Sequence, residues 1–554
     1  MIFGKKIQWL FFVLASTISA FSQSIVNGSV VDQETGLPVP FASIGIIGTS
    51  KGTSSNLNGE FSLAIPAGAT IKITCVGYES LTLNASGLSG TIKLRPQTTH
   101  LNEVFVLAKA QNPRTVVRKA FANLSNNYSK ESFLQKFFYR HYCKDDSVFG
   151  RLIEASVDVL KHQGYRTIRS RAGDKEEIQV AQLRRSLDKT VMAQGHEPIS
   201  VHNILQADLV GYQSPVKSEH LKFYEEASSL RTDFESYTFA LEGITTHDGL
   251  EVYKISYQSK PDSILTTAGY LPATTARGTL FIAMDSYALI KSEDIKQDGP
   301  NWIRTSAYYQ KYGDYYYPYH FVREGESRFS DNHEHSFHIE LMSVEIQHSS
   351  TSKIRSNPLD KESLLKIGYD SAFWSTHTVL KTTPLEDDII HDLGGGRSLN
   401  DQFYRYQQYE WSTADGGKNG SEKFKWFLED SRGERILYLG FISNHCQPYL
   451  NELEHLKKLS KAYRTHIAFV LIMIENDETK WQEVVTRYTL FADGIINYRI
   501  EVGSDLVKRF KINETPAFLL LSKEGTPLDP GATVPSNPLL EAFLKNVIKP
   551  GNSQ

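Results

Sequence analysis

The chain has 554 residues, of which 40% are apolar, 22% charged and 11% aromatic. At roughly 150 residues per domain this length predicts about three or four domains, and the composition excludes a wholly disordered, collagenous or coiled-coil chain. Lys plus Arg number 60 against 63 Asp plus Glu, a net charge of −3, so no global field draws the protein onto nucleic acid. The three cysteines, Cys75, Cys143 and Cys446, are too few for a disulfide framework or a four-thiolate metal site.

Lys5 and Lys6 precede the apolar run Ile7 to Ala15, and small residues follow through Ala20-Phe21-Ser22. This reads as a signal peptide over 1–22, with Ala20 and Ser22 at the two positions that must be small. A membrane anchor needs about 18 to 20 apolar residues, whereas Ser16, Thr17 and Ser19 break this run. No Cys follows the run to take a lipid, and no later stretch is long and apolar enough to span a bilayer. The mature chain is therefore expected to be exported, periplasmic or associated with the outer membrane, with no transmembrane span.

Residues 24–106 alternate short β-runs with turn residues such as Gly36-Leu37-Pro38, Gly48-Thr49 and Asn58-Gly59, which predicts a small antiparallel sandwich. The strings Gly28-Ser29-Val30-Val31-Asp32, Pro40-Phe41-Ala42-Ser43, Asn58-Gly59-Glu60-Phe61 and Val76-Gly77-Tyr78 resemble the carboxypeptidase regulatory-like domain, a transthyretin-like sandwich of exported Bacteroidetes proteins. The resemblance implies an accessory module and no carboxypeptidase activity. Asp32, Asn56 and Asn58 fit turn chemistry better than a calcium loop, and Cys75 reads as a core residue of an apolar strand.

Residues 112–350 read as a central α+β domain. Val116, Val117, Ala120, Phe121 and Leu124 recur at helical spacing, and with Phe133, Phe137, Phe138 and the run Leu152 to Val159 they predict a packed helix pair over about 112–163. Phe137-Phe138-Tyr139-Arg140 and Gln182-Leu183-Arg184-Arg185-Ser186 resemble a poorly characterised central region of Bacteroidetes envelope proteins. From about 237 to 347 strands return, led by 278–285 and 288–293 around the turn Ser286-Tyr287, and predict an open antiparallel sheet with one curved face. Its tyrosines either hold a lipid or glycan or simply suit a half-buried pleated surface. His333-Glu334-His335-Ser336-Phe337-His338 departs from the helical zinc signature, because the third His falls at i+5 and the flanking pattern is strand-like. These are expected to be surface histidines, with no metal and no cofactor.

Residues 356–420 read as a helical connector, with helix-start signals at Thr383-Pro384 and glycine-rich points at 394–396 and 415–420. From 421 to 554 a β-α-β-α-β-β order follows, with Cys446 at the junction of the strand Ile436 to Phe441 and the next helix. Together with Asp430-Ser431-Arg432-Gly433-Glu434 and Thr515-Pro516, this resembles a thioredoxin fold of the TlpA-like type. The resemblance implies that Pro516 is a cis proline facing the thiol. Where that family has Cys-x-x-Cys, this chain has Cys446-Gln447-Pro448-Tyr449. A helix N-terminus, and His445 if protonated, would favour the Cys446 thiolate, yet no resolving thiol follows.

The fold class expected is thus multidomain α+β: a β-sandwich, a central helical segment with an antiparallel sheet, and a C-terminal α/β thioredoxin-like unit. Two functions stand side by side. One is a scaffold that binds exported proteins or glycans, and the other is a monothiol oxidoreductase using Cys446, His445 and Pro516 with an external thiol partner. No internal disulfide is expected, because the three cysteines fall in different predicted domains.

Overall fold

The computed structural model describes residues 23–348 except 67, 85–89, 98–110, 166–176, 187–198, 200, 206, 212–229, 232–233, 261–264, 267–271, 274 and 329–333. It also describes scattered positions between 354 and 403, and 420–548 except 432–434, 444–451, 464–465 and 488–494. Residues 1–22, read from the sequence as a signal peptide, lie outside the described residues.

The N-terminal unit has strands β1 (Gln23–Asp32), β2 (Ser43–Ile46), β3 (Gly52–Ser54), β4 (Glu60–Pro66), β5 (Thr70–Thr74), β6 (Leu81–Asn84) and β7 (Gly90–Leu94). They form two sheets, β4-β1-β7 and β3-β2-β5-β6, around Val30, Ile44, Phe61, Ile65, Ile71 and Ile73. Pairing is antiparallel except that β1 runs parallel to β7, which turn spacing alone did not predict. Asp32 Oδ1 accepts the Glu34 and Thr35 N–H groups, and Asn56 Oδ1 accepts those of Asn58 and Glu60, so both side chains close turns. Cys75 directly follows β5 and packs against this core, where burial pushes its thiol up to about 11.

The central unit begins as expected with the helix Pro113–Ala122, capped by the Asn112 side chain on the Arg114 and Thr115 N–H groups. The expected second helix is a correction. Residues read as helical form β8 (Phe133–Asp145) and β9 (Val148–Lys161). These join β10 (Glu177–Arg185), β11 (Tyr237–His247), β12 (Leu250–Ser259), the short ribbon β13 (Leu265–Thr266) and β14 (Pro272–Ala273), β15 (Thr275–Ala283), β16 (Leu289–Asp298), β17 (Asn301–Tyr312), β18 (Tyr315–Arg328) and β19 (Glu334–His348). One ten-stranded sheet runs in the order β10-β9-β8-β19-β18-β17-β16-β15-β12-β11, with every neighbouring pair antiparallel.

Both faces of that sheet are covered, which explains the misreading. On one face Phe137, Tyr139, Ile153 and Val157 share a core with Val116, Val117 and Ala120 of the helix and with Val201 and Ile204 of the helix Val201–Leu205. On the other, Phe138 and Met342 pack on Trp374, while Phe149 and Leu152 pack on Ile389, Leu393 and Phe403. A strand buried on both faces loses the alternation that distinguishes it from a helix. The second face also receives the sandwich: Tyr319 donates its hydroxyl to Phe41 O at 3.0 Å, Ser50 to Ile346 O at 2.5 Å, and Ser43 to Gln310 Oε1.

The C-terminal unit has β20 (Ile436–Ser443), β21 (Ile467–Ile474), β22 (Ile496–Ile500), β23 (Ala517–Leu521) and β24 (Pro527–Asp529) in the order β22-β21-β20-β23-β24. β20, β21 and β22 are parallel, β23 and β24 antiparallel. β22 is an addition to the order read from the sequence. Helices Leu453–Tyr463 and Glu478–Arg487 link the parallel strands, as crossovers require.

Within the central sheet, Glu154 takes the Arg140 Nε at 2.7 Å and the Arg184 Nε at 2.6 Å, with all three side chains buried. Burial works against the Glu154 charge, but Arg184 and Arg140 hold its carboxyl below the usual range. Trp374 and Phe403 from the connector region lie over the Arg184 guanidinium at 4.3 and 4.9 Å. Glu154→Ala strands two buried cations and is expected to destabilise the central unit by about 3–5 kcal/mol in chemical denaturation. A loss under about 1 kcal/mol would show that the triad is solvated.

Candidate functional site

The thioredoxin-like unit brings two sequence-marked places together. β20 is buried along almost its whole length and ends at Ser443, while Thr515 and Pro516 lead into β23, whose Ala517 is in register with Phe441. Gly440 permits that packing, since a Cβ there would lie 3.1 Å from the Phe518 ring. The Ser443 and Thr515 hydroxyls are 2.8 Å apart, and the Thr515–Pro516 peptide bond is cis. Cys446 and His445, together with Tyr449, lie outside the described residues. Pro516 therefore stands at the carboxyl end of β20 beside Thr515.

The second place lies at histidines that the sequence reading assigned to the surface. His335 and His338, expected at the surface, are each only 4% exposed. Their strand β19 lies inside the sheet between β18 and β8. His338 Nε2 is 2.7 Å from Glu340 Oε1, and its Nδ1 is 3.3 Å from Glu324 Oε2. Tyr142 stacks on its ring at 5.0 Å. Glu340 Oε2 lies 3.7 Å from His320 Nε2, and His320 Nδ1 is 2.6 Å from Ser54 Oγ of the sandwich. A row of buried polar groups thus runs from the central sheet into the N-terminal unit.

His335 sits in a separate cluster. Its Nδ1 is 2.7 Å from Asp145 Oδ1, and Cys143 is a further hydrogen-bonding neighbour. Cys143 Sγ lies 3.3 Å from His141 Nε2, and its cross-strand neighbours are Arg151 and Phe337. The Cys143 side chain is fully buried. His333 lies outside the described residues. Among the described residues no group of three or more His, Cys, Asp or Glu side chains is arranged to hold a metal ion.

Burial opposes the charge on His338, but hydrogen bonds to Glu324 and Glu340 outweigh it and lift the imidazole to about 9. Burial likewise opposes the charge on His335, and Asp145 with Cys143 raises it to about 9. Burial would raise the Glu340 carboxyl, yet His320 and His338 hold it far below the carboxylate range. The signal available in the sequence was period-two placement, since His338 and Glu340 share one face of β19. What hid it was the partners' location on other strands.

Two regions match known domain families. Residues 26–106 match the CarboxypepD_reg-like domain, and residues 433–526 match a thioredoxin-like family. The chain is 33% identical over 95 residues to the TonB-dependent receptor SusC of Bacteroides thetaiotaomicron, a match covering 17% of this chain and 9% of that receptor. It is similar to a thiol-disulfide oxidoreductase from Bacteroides fragilis at 25% identity, covering 21% of this chain and 82% of that one with a TM-score of 0.19. The thioredoxin domain of a Bacteroides vulgatus thiol-disulfide oxidoreductase is 14% identical, over 22% of this chain and 84% of that one, with a TM-score of 0.20.

The raised histidines set a pH window. A group whose folded pKa exceeds its unfolded value of about 6.5 contributes fully below that value, and the contribution is lost as pH rises through the folded pKa. The melting temperature of the central unit should therefore fall between pH 6.5 and about 9. In His338→Gln the fall should be shallower; an identical slope would count against the His338 ion pairs. The chain thus carries an N-terminal CarboxypepD_reg-like domain and a C-terminal thioredoxin-like domain flanking a ten-stranded antiparallel sheet.

Proposed function

We propose that the protein is an exported cell-envelope binding scaffold in which the thioredoxin-like unit offers a surface to other exported proteins or glycans and does not run a dithiol cycle. The observation that carries this reading is Cys446-Gln447-Pro448-Tyr449, with tyrosine at the position of a resolving thiol. A thiolate can attack a disulfide and form a mixed disulfide, but release within the same molecule needs a second thiol in reach. Cys143 is buried in the central sheet and Cys75 packs on the sandwich core, so neither is placed to serve. The apolar run behind Lys5 and Lys6 and the match to the TonB-dependent receptor SusC support an envelope location.

A second reading has one specific support. Cys446 follows the end of β20 by three residues, and Ser443 there is hydrogen-bonded to Thr515, the residue before Pro516. In this reading Cys446 is a monothiol nucleophile with His445 beside it, and an external thiol completes the cycle.

Alkylation of Cys446 as a function of pH, with Cys446→Ser as control, separates the two. The scaffold reading expects an ordinary thiol whose rate rises around about 8.5, and no reduction of insulin disulfides above the dithiothreitol background. A rate that stays high well below that pH, together with catalysed reduction lost in Cys446→Ser, would favour the monothiol enzyme.

A further inference from the structure

Arg323 of β18 is more than nine-tenths buried, with 8% of its surface accessible. Three other buried cations of the sheet have carboxylates: Arg140 and Arg184 share Glu154, and Lys161 Nζ lies 3.8 Å from Asp208 Oδ2. Among the described residues Arg323 has neither a hydrogen-bond acceptor nor an ion-pair partner, and the Phe337 ring lies 6.0 Å from the guanidinium carbon. Burial pushes the guanidinium down to about 10, and Asp294 offsets this only in part.

Asp294 is engaged elsewhere. Its Oδ1 accepts the Tyr257 hydroxyl at 2.8 Å, and its Oδ2 lies 3.7 Å from Lys296 Nζ. In register, Thr305 stands between Asp294 and Arg323, so about 10 Å separates their backbones. The surroundings are built around this position. Ile339 is the cross-strand neighbour on β19, and Phe337 lies over Gly325, where a Cβ would be 2.8 Å from its ring. A buried guanidinium without an anion is strongly destabilising, and its planar fork matches a carboxylate through two parallel hydrogen bonds.

We propose that Arg323 anchors a binding site on the central sheet for a small monoanion, a carboxylate, seated between the guanidinium fork and the apolar wall of Phe337 and Ile339. The carboxylate Asp294 nearby disfavours a dianion, so phosphate is the poorer fit. The carboxylate is either free in solution or the head of an acyl chain, and the chemistry at Arg323 is the same for both. This site is independent of the thioredoxin-like unit and of the reading given for it.

The test is thermal unfolding of the full mature chain in acetate, in octanoate and in inorganic phosphate at matched ionic strength, for wild type, Arg323→Met and Arg323→Lys. A carboxylate should raise the wild-type melting temperature in a concentration-dependent manner and leave Arg323→Met unmoved. Without ligand, Arg323→Met should melt no lower than wild type, because methionine fills the space with no buried charge. Arg323→Lys, which keeps the charge but not the fork, should need at least tenfold more carboxylate for the same shift. A response to acetate identifies a free carboxylate, and a response to octanoate alone identifies an acyl chain. Equal responses in wild type and Arg323→Met would overturn the proposal, as would silence toward both carboxylates, phosphate acting as well as carboxylate, or a destabilised Arg323→Met.

Discussion

A charge buried in a sheet covered on both faces is costly unless it is paired, and that constraint governs the middle of this molecule. Ten strands lie between a helical layer on one side and the sandwich with parts of the connector region on the other. Arg140, Glu154, Arg184, His320, His338 and Glu340 all point into a low-dielectric environment, where isolated charges cost several kcal/mol each. Their solution is mutual: Glu154 takes two arginines, Glu340 bonds His338 and stands 3.7 Å from His320, and aromatic rings of Trp374, Phe403 and Tyr142 close over Arg184 and His338. Such networks contribute less to net stability than to uniqueness, since a shifted register would leave several partners unpaired at once.

The same constraint explains how the N-terminal module is joined. Ser54 reaches His320, Phe41 stands edge-on to the same ring at 4.9 Å, and Thr53 and Ser54 approach the Met342 sulfur. A module that in isolation would present β3 as an exposed edge instead closes over β18 and β19. The sandwich is thus part of the wall of the central unit. In the thioredoxin-like unit the logic is simpler, because β20 and β21 are apolar throughout and the polar contacts gather at the strand ends, as with Ser443 and Thr515.

Much of this was legible in the sequence wherever the determinants are local. The turn residues Asp32 and Asn56 act as read, the helix after Asn112 begins where its cap and Pro113 predict, and the buried strands flanking Cys446 fall where the apolar runs lie. What escaped is non-local. Phe137 and Phe138 face opposite sides of β8 and are both buried, so their spacing carries no period-two signature. His338 reads as a polar surface residue until Glu324 and Tyr142, on two other strands, are brought beside it. Arg323 is silent for the same reason, and β22 was overlooked as a short strand at the sheet edge.

The central claim is that the sandwich and the ten-stranded sheet are fastened by the Ser54, His320, Glu340 and His338 row. Hydrogen exchange on the full chain, comparing wild type with Glu340→Gln, tests it directly. Loss of the carboxylate should release protection in β2 and β3 of the sandwich together with β18 and β19 of the sheet, because the row crosses both. Faster exchange confined to β18 and β19, with the sandwich unchanged, would contradict the account and show that the module is held by its apolar contacts alone.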